Sequence, residues 1–162
     1  MVIDILTTGG TIEGLDYVND NGITESNVTI KGFLNSANID FEYSIESVFK
    51  KDSRAITESD RELLANKVKA SKATKILITH GTFTMEDTAK YIGQLNLNKT
   101  IVLVGSFILG SSESTDAPFN LGYAISSLQF LKQDVYVAMN GQVFHWSKVT
   151  KNLELNKFER NE

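Results

Sequence analysis

Five short runs of apolar and β-branched residues recur along the chain, at 2–7, 41–48, 75–79, 101–104 and 135–139, and several are apolar almost without interruption. A strand with one wet face alternates polar and apolar residues. A strand that does not alternate is covered on both faces, as in a parallel sheet. Between these runs lie helical patterns at 58–71, with Leu63, Leu64 and Val68 on one stripe, at 85–95, with Ala89, Ile92 and Gly93, and at 118–131. Strand and helix in alternation predict a doubly wound α/β domain, a mostly parallel sheet with helices on both faces.

Local signals set the helix starts. Thr57 followed by Asp60 and Thr84 followed by Asp87 both read as N-terminal capping boxes, and Pro118, the only proline, suits a first helical turn. Residues 14–22 are rich in turn formers and predict a mobile lid. Residues 152–162 are polar and read as a tail or the start of a linker.

At 162 residues the chain is expected to be one domain, 1–162, burying roughly 70% of its unfolded surface. A net charge of −4 gives no attraction for nucleic acid or an anionic membrane. The absence of cysteine excludes thiolate catalysis, disulfides and Cys-based zinc sites, and two histidines argue against a His-rich metal site. No metal or cofactor is expected. The N-terminus lacks a basic leader, Asp4 interrupts its apolar run, and no run approaches the ~20 residues that span a bilayer, so a cytoplasmic location is expected.

Two of the apolar runs end in similar turns, Thr8-Gly9-Gly10-Thr11 and Thr79-His80-Gly81-Thr82. Open α/β sheets place ligands at the carboxyl ends of their strands. Neither turn is a phosphate loop, because the first lacks a Lys-Ser or Lys-Thr ending and the second has one glycine. A Thr hydroxyl becomes a useful nucleophile when a neighbour removes its proton and N–H groups stabilise the oxyanion. The glycines before Thr11 allow a carbonyl to approach the backbone, and Thr82 is read as opening a helix whose N-terminus favours negative charge. Taken singly, each Thr is equally well an ordinary turn or cap residue.

Taken together, the chain resembles the bacterial-type L-asparaginases, amidohydrolases with a Thr nucleophile. Residues 8–12 and 78–89 are similar to that family's two signatures. Asp52-Ser53 resembles its substrate-clasping segment, residues 104–106 and 114–121 a further stretch, and residues 139–151 the segment ending in its catalytic Lys. By position, the resemblance implies that Thr11 attacks a side-chain amide with Tyr17 assisting. It implies that Thr82 and Lys151 form a second hydroxyl–amine pair, that Asp52 and Ser53 hold the substrate beside Gly81, and that Ser106 lines the carboxamide end. His80 and His145 are expected to be structural.

Two departures stand out. The family pattern has Asp where this chain has Phe83, and in relatives that carboxylate grips the substrate α-ammonium. The family also has a C-terminal domain, so the resemblance implies a shortened member with only the nucleophile-bearing domain, whose uncovered apolar surface calls for a homodimer or higher oligomer. The expected function is hydrolysis of a side-chain carboxamide, asparagine or a related amide. The alternative is a catalytically impaired binding or regulatory module with the same fold.

Overall fold

A computed structural model describes residues 1–16 and 28–161. Its main sheet contains β1 (Val2–Thr7), β2 (Glu42–Ser47), β3 (Lys75–Thr79), β4 (Thr100–Val104), β5 (Asp134–Met139) and β6 (Gln142–His145), in the spatial order β2-β1-β3-β4-β5-β6. The first five strands are parallel and β6 returns antiparallel to β5. Among the described residues, four helices cross between the parallel strands: α1 (Ile30–Ser36), α2 (Glu58–Ala70), α3 (Met85–Gly93) and α4 (Ala117–Phe130). This is the doubly wound α/β fold.

The expectation of strands covered on both faces holds at the centre and fails at the edge. Every residue of β4 is buried, whereas β2, with β1 on one side alone, leaves Ile45 37% exposed. An edge strand has one neighbour and little cover, and the polar side chains of β2 suit it. Leu64 and Val68 of α2 are buried, but Leu63 faces solvent and Ala65 takes its place on the buried stripe.

The Thr57 capping box forms as expected, with Thr57 Oγ1 accepting from the Asp60 N–H and Asp60 accepting in return from the Thr57 N–H. Thr84 does not cap α3 with its side chain. Its hydroxyl donates instead to the Ser53 carbonyl at 2.6 Å, tying the start of α3 to a neighbouring segment. Pro118 does sit in the first turn of α4.

Residues 152–162 are not simply a polar tail. A second sheet, the hairpin of β7 (Val149–Asn152) and β8 (Lys157–Arg160), occupies most of that stretch. Two apolar residues anchor it, Val149 at 6% and Phe158 at 5% exposure, and the Phe158 ring lies 6.1 Å from that of Phe107 and 6.4 Å from that of Phe144. Burying an aromatic side chain contributes about 2 kcal/mol or more, so Phe158 is a major part of what holds the hairpin against the domain.

The strand order carries the functional consequence. The chain moves from β1 outward to β2, then crosses back to lay β3 on the other side of β1. The connections from β1 and β3 therefore diverge to opposite sides, and a crevice opens at the carboxyl ends of these two strands, where doubly wound sheets bind ligands. Those two carboxyl ends carry the two Gly-Thr turns.

Candidate active site

The turns touch through their glycines. Gly10 has φ +82°, and a Cβ there would lie 2.7 Å from the Gly81 nitrogen and 2.8 Å from its Cα. Gly81 is crowded in turn, since its own Cβ would lie 2.7 Å from Ser53 Oγ. The segments following β1 and β3 thus meet backbone to backbone, and the Ser53 side chain after β2 packs on Gly81, approaches that only glycine permits. Thr8 locks the first pair by donating from its hydroxyl and its N–H to the Thr79 carbonyl, at 2.8 and 3.2 Å.

Thr11 begins a one-turn 3-10 helix, Thr11–Glu13, and is partly exposed. Its carbonyl accepts from Gly14 and Gly110, both at 2.9 Å, which fixes the backbone that carries the hydroxyl. Glu13, not singled out from the sequence, accepts the Gly9 N–H at 2.6 Å, and burial raises its pKa against the opposing pull of that bond and of Lys50. A lone carboxylate two residues past Thr11 was the available signal.

Thr82 lies in the turn before α3 rather than in its first turn. It is 6% exposed and Lys151 on β7 is 8% exposed, and Lys151 Nζ donates to Thr82 Oγ1 at 2.9 Å. Burial lowers the Lys151 pKa, partly offset by the charge of Glu86, whose carboxylate accepts the Lys151 backbone N–H at 2.6 Å. The pair depends on the hairpin, because Phe158 is the cross-strand partner of Lys151.

Ser53 is buried, and its hydroxyl oxygen accepts the Phe83 N–H at 3.2 Å. Asp52 caps the short turn Ser53–Ala55 by accepting the Arg54 N–H at 2.8 Å, and both its oxygens also accept from the Arg54 guanidinium. That guanidinium holds its pKa below the usual carboxylate range. Phe83 is 49% exposed, with Lys151 Nζ 4.2 Å and the Arg54 guanidinium carbon 4.8 Å from its ring centroid. Ser106 is buried after β4 and donates to the Ile108 carbonyl at 2.8 Å. Tyr17 and most of the expected lid lie outside the described residues.

Behind the second turn, His80 is fully buried and bridges the Gly81 carbonyl at Nδ1 (2.8 Å) and Thr88 Oγ1 at Nε2 (2.9 Å). Arg61 Nε donates to the same Thr88 oxygen at 3.1 Å. One proton arrangement satisfies every group: Arg61 to Thr88, Thr88 to His80, His80 to the Gly81 carbonyl. Burial pushes the His80 pKa down to about 4, so the ring is neutral near neutral pH.

A doubly wound sheet with paired Gly-Thr turns at its switch point and a buried Thr–Lys pair defines a class of small-molecule site. The asparaginase N-terminal family pattern matches residues 2–159, and the chain belongs to that family. It is 31% identical to the glutaminase-asparaginase of Acinetobacter glutaminasificans over 169 residues, 94% of this chain and 50% of that protein. It is 32% identical to L-asparaginase 2 of Escherichia coli K12 over 163 residues, 92% of this chain and 46% of that one. Among solved structures, the probable cytoplasmic L-asparaginase of Campylobacter jejuni superposes with a TM-score of 0.80 at 28% identity, covering 98% of this chain and 52% of the other. The thermostable L-asparaginase of Thermococcus kodakarensis gives 0.81 at 27%, covering 99% and 51%. The chain spans about half the length of the curated relatives it matches. Among the described residues, no helix is long and apolar enough to cross a membrane.

Proposed function

We propose that the protein is an asparaginase-like amidohydrolase that uses Thr11 as its nucleophile. The observation that carries this reading is the buried contact of Lys151 Nζ with Thr82 Oγ1, on a turn whose Gly81 abuts the Gly10 that precedes Thr11. In the first half-reaction the Thr11 oxygen bonds to the carboxamide carbon, the C–N bond breaks, and ammonia leaves with the proton that Thr11 gave up. In the second, water adds to the acyl ester, the acid departs, and the Thr11 hydroxyl is restored.

Each neighbour has a task suited to its chemistry. Lys151, with its pKa lowered by burial, exchanges a proton through Thr82 at smaller cost than a solvated lysine would. Ser53 holds the substrate directly, and Asp52 does so by fixing the Arg54 guanidinium beside it. Ser106 has committed its proton to Ile108, so it offers lone pairs, which suit the N–H2 of a carboxamide. Tyr17 assists from the segment beyond the described residues. We place the protein in the cytoplasm as a homo-oligomer acting on a small amide.

Ammonia release from a panel of primary amides, wild type against Thr11→Ala, tests the reading. Turnover abolished by the substitution supports it, and the absence of Thr11-dependent turnover on any amide overturns it. A second reading, a binding module without turnover, draws on Phe83 standing where the family pattern has Asp. Calorimetry that finds specific amino-acid binding with no hydrolysis would favour that alternative.

A further inference from the structure

Charge at the mouth of the site is distributed unevenly. The half-exposed Phe83 ring has two cations within 5 Å of its centroid, Lys151 Nζ at 4.2 Å and the Arg54 guanidinium carbon at 4.8 Å. Three carboxylates of the surrounding segments are engaged by this protein's own donors. Both oxygens of Asp52 accept from Arg54, Glu86 accepts the Lys151 backbone N–H at 2.6 Å, and Glu13 accepts the Gly9 N–H at 2.6 Å.

These positions favour one sign of substrate charge over the other. A ring face attracts a cation, but this ring face is already occupied by two, of which Arg54 is compensated by Asp52, so an ammonium brought beside the ring competes for that face and meets the repulsion of Lys151. A carboxylate meets the opposite situation. Asp52 engages two of the three Arg54 guanidinium nitrogens, Nε and Nη2, and the side chain is half-exposed, so the planar cation retains capacity for a second acid.

Resting on the amidase reading above, we infer that the site selects primary amides that carry a carboxylate and no ammonium group. These are monoamides of simple dicarboxylic acids, and they are favoured over α-amino-acid amides. Phe83 and Arg54 are the specificity-determining residues. Phe83 offers an ammonium no carboxylate at the position where the family pattern has Asp, and Arg54 supplies an ionic partner to the carboxylate.

Two measurements on the full-length protein separate this inference from the reading beneath it. Calorimetry on the Thr11→Ala variant compares succinamate, which lacks the amino group, with L-asparagine, which has it. Succinamate is expected to bind at least tenfold more tightly, and equal or tighter binding of asparagine, or binding of neither, overturns the inference. Ammonia release by the wild type from the same two compounds tests the amidase reading. Selective succinamate binding by a protein that releases ammonia from no amide of the panel would sink that reading while leaving the selectivity standing. Because Phe83 is half-exposed, Phe83→Asp disturbs little packing, and it is expected to shift the binding ratio at least tenfold towards asparagine. An unchanged ratio removes Phe83 from the explanation. Arg54→Gln is expected to weaken succinamate binding about tenfold and to leave asparagine binding within a factor of three, and equal loss for both would overturn the role of Arg54.

Discussion

Gly10 and Gly81 meet backbone to backbone, so close that a Cβ on the first would lie 2.7 Å from the nitrogen of the second. This contact joins the turn after β1 to the turn after β3 and sets the spacing between the Thr11 and Thr82 segments. Gly10→Ala combines a left-handed backbone, φ +82°, with a clash against atoms that cannot rotate away. The expected cost is about 2 to 4 kcal/mol, read as a lower urea midpoint, with loss of any Thr11-dependent turnover. A variant as stable as wild type would show that the turns can separate freely.

The Lys151–Thr82 pair predicts non-additive kinetics. Lys151→Met and Thr82→Val are each expected to lower kcat roughly 10²- to 10⁴-fold, the usual range for a positioned acid or base. The double variant should be little worse than either single one, because each substitution disables the same unit. Independent, multiplying effects would mean that the 2.9 Å contact is not a functional unit. Thermal stability should change little in Lys151→Met, whose apolar replacement needs no solvation in a buried site.

His80 predicts acid lability at mildly low pH. Its ordinary pKa is 6.5, and burial brings it down to about 4 in the folded protein. The unfolded chain therefore binds this proton more readily than the folded one. Stability that is complete above pH 6.5 is lost as pH falls towards 4, by roughly 3 kcal/mol if the full shift is realised. Urea unfolding between pH 7 and pH 4 would show the slope. In His80→Gln the slope over that window should be shallower although the variant is less stable at pH 7, and an identical slope would remove His80 as its source.

Phe158 predicts that the hairpin and the site fail together. Phe158→Ala removes the ring that packs between Phe107 and Phe144, at an expected cost of about 3 kcal/mol or more. Since Lys151 is the cross-strand partner of Phe158, turnover should fall even where the main sheet remains folded. Hydrogen exchange would show residues 149–160 losing protection before β3 and β4. Phe158→Leu, which refills most of the volume, should restore much of both, and turnover unaffected by Phe158→Ala would separate the hairpin from the site.

The regular elements were legible because their causes are local. Runs of apolar and β-branched residues located β1, β3, β4 and β5 to within a residue, and the Thr57–Asp60 pair marked the start of α2, where the side chains reach back to the N–H groups they satisfy. Thr84 carried the same local pattern and was drawn away by the Ser53 carbonyl, a partner 31 residues distant. The hairpin was missed for a related reason. It is anchored by two apolar residues, Val149 and Phe158, and the Phe158 ring is received by Phe107 and Phe144, which belong to other segments.

Thus the sequence by itself determined an alternating α/β chain with Gly-Thr turns closing two of its buried strands, because apolar period, capping and turn chemistry act over a few residues. Only the tertiary structure decided that those strands are neighbours at the point where the sheet reverses, that Lys151 reaches Thr82, and that Arg54 and Lys151 both face the Phe83 ring. Strand order and side-chain encounters depend on packing between segments 30 to 70 residues apart. No local preference encodes them, and the charge that a substrate meets at this site is set by those encounters.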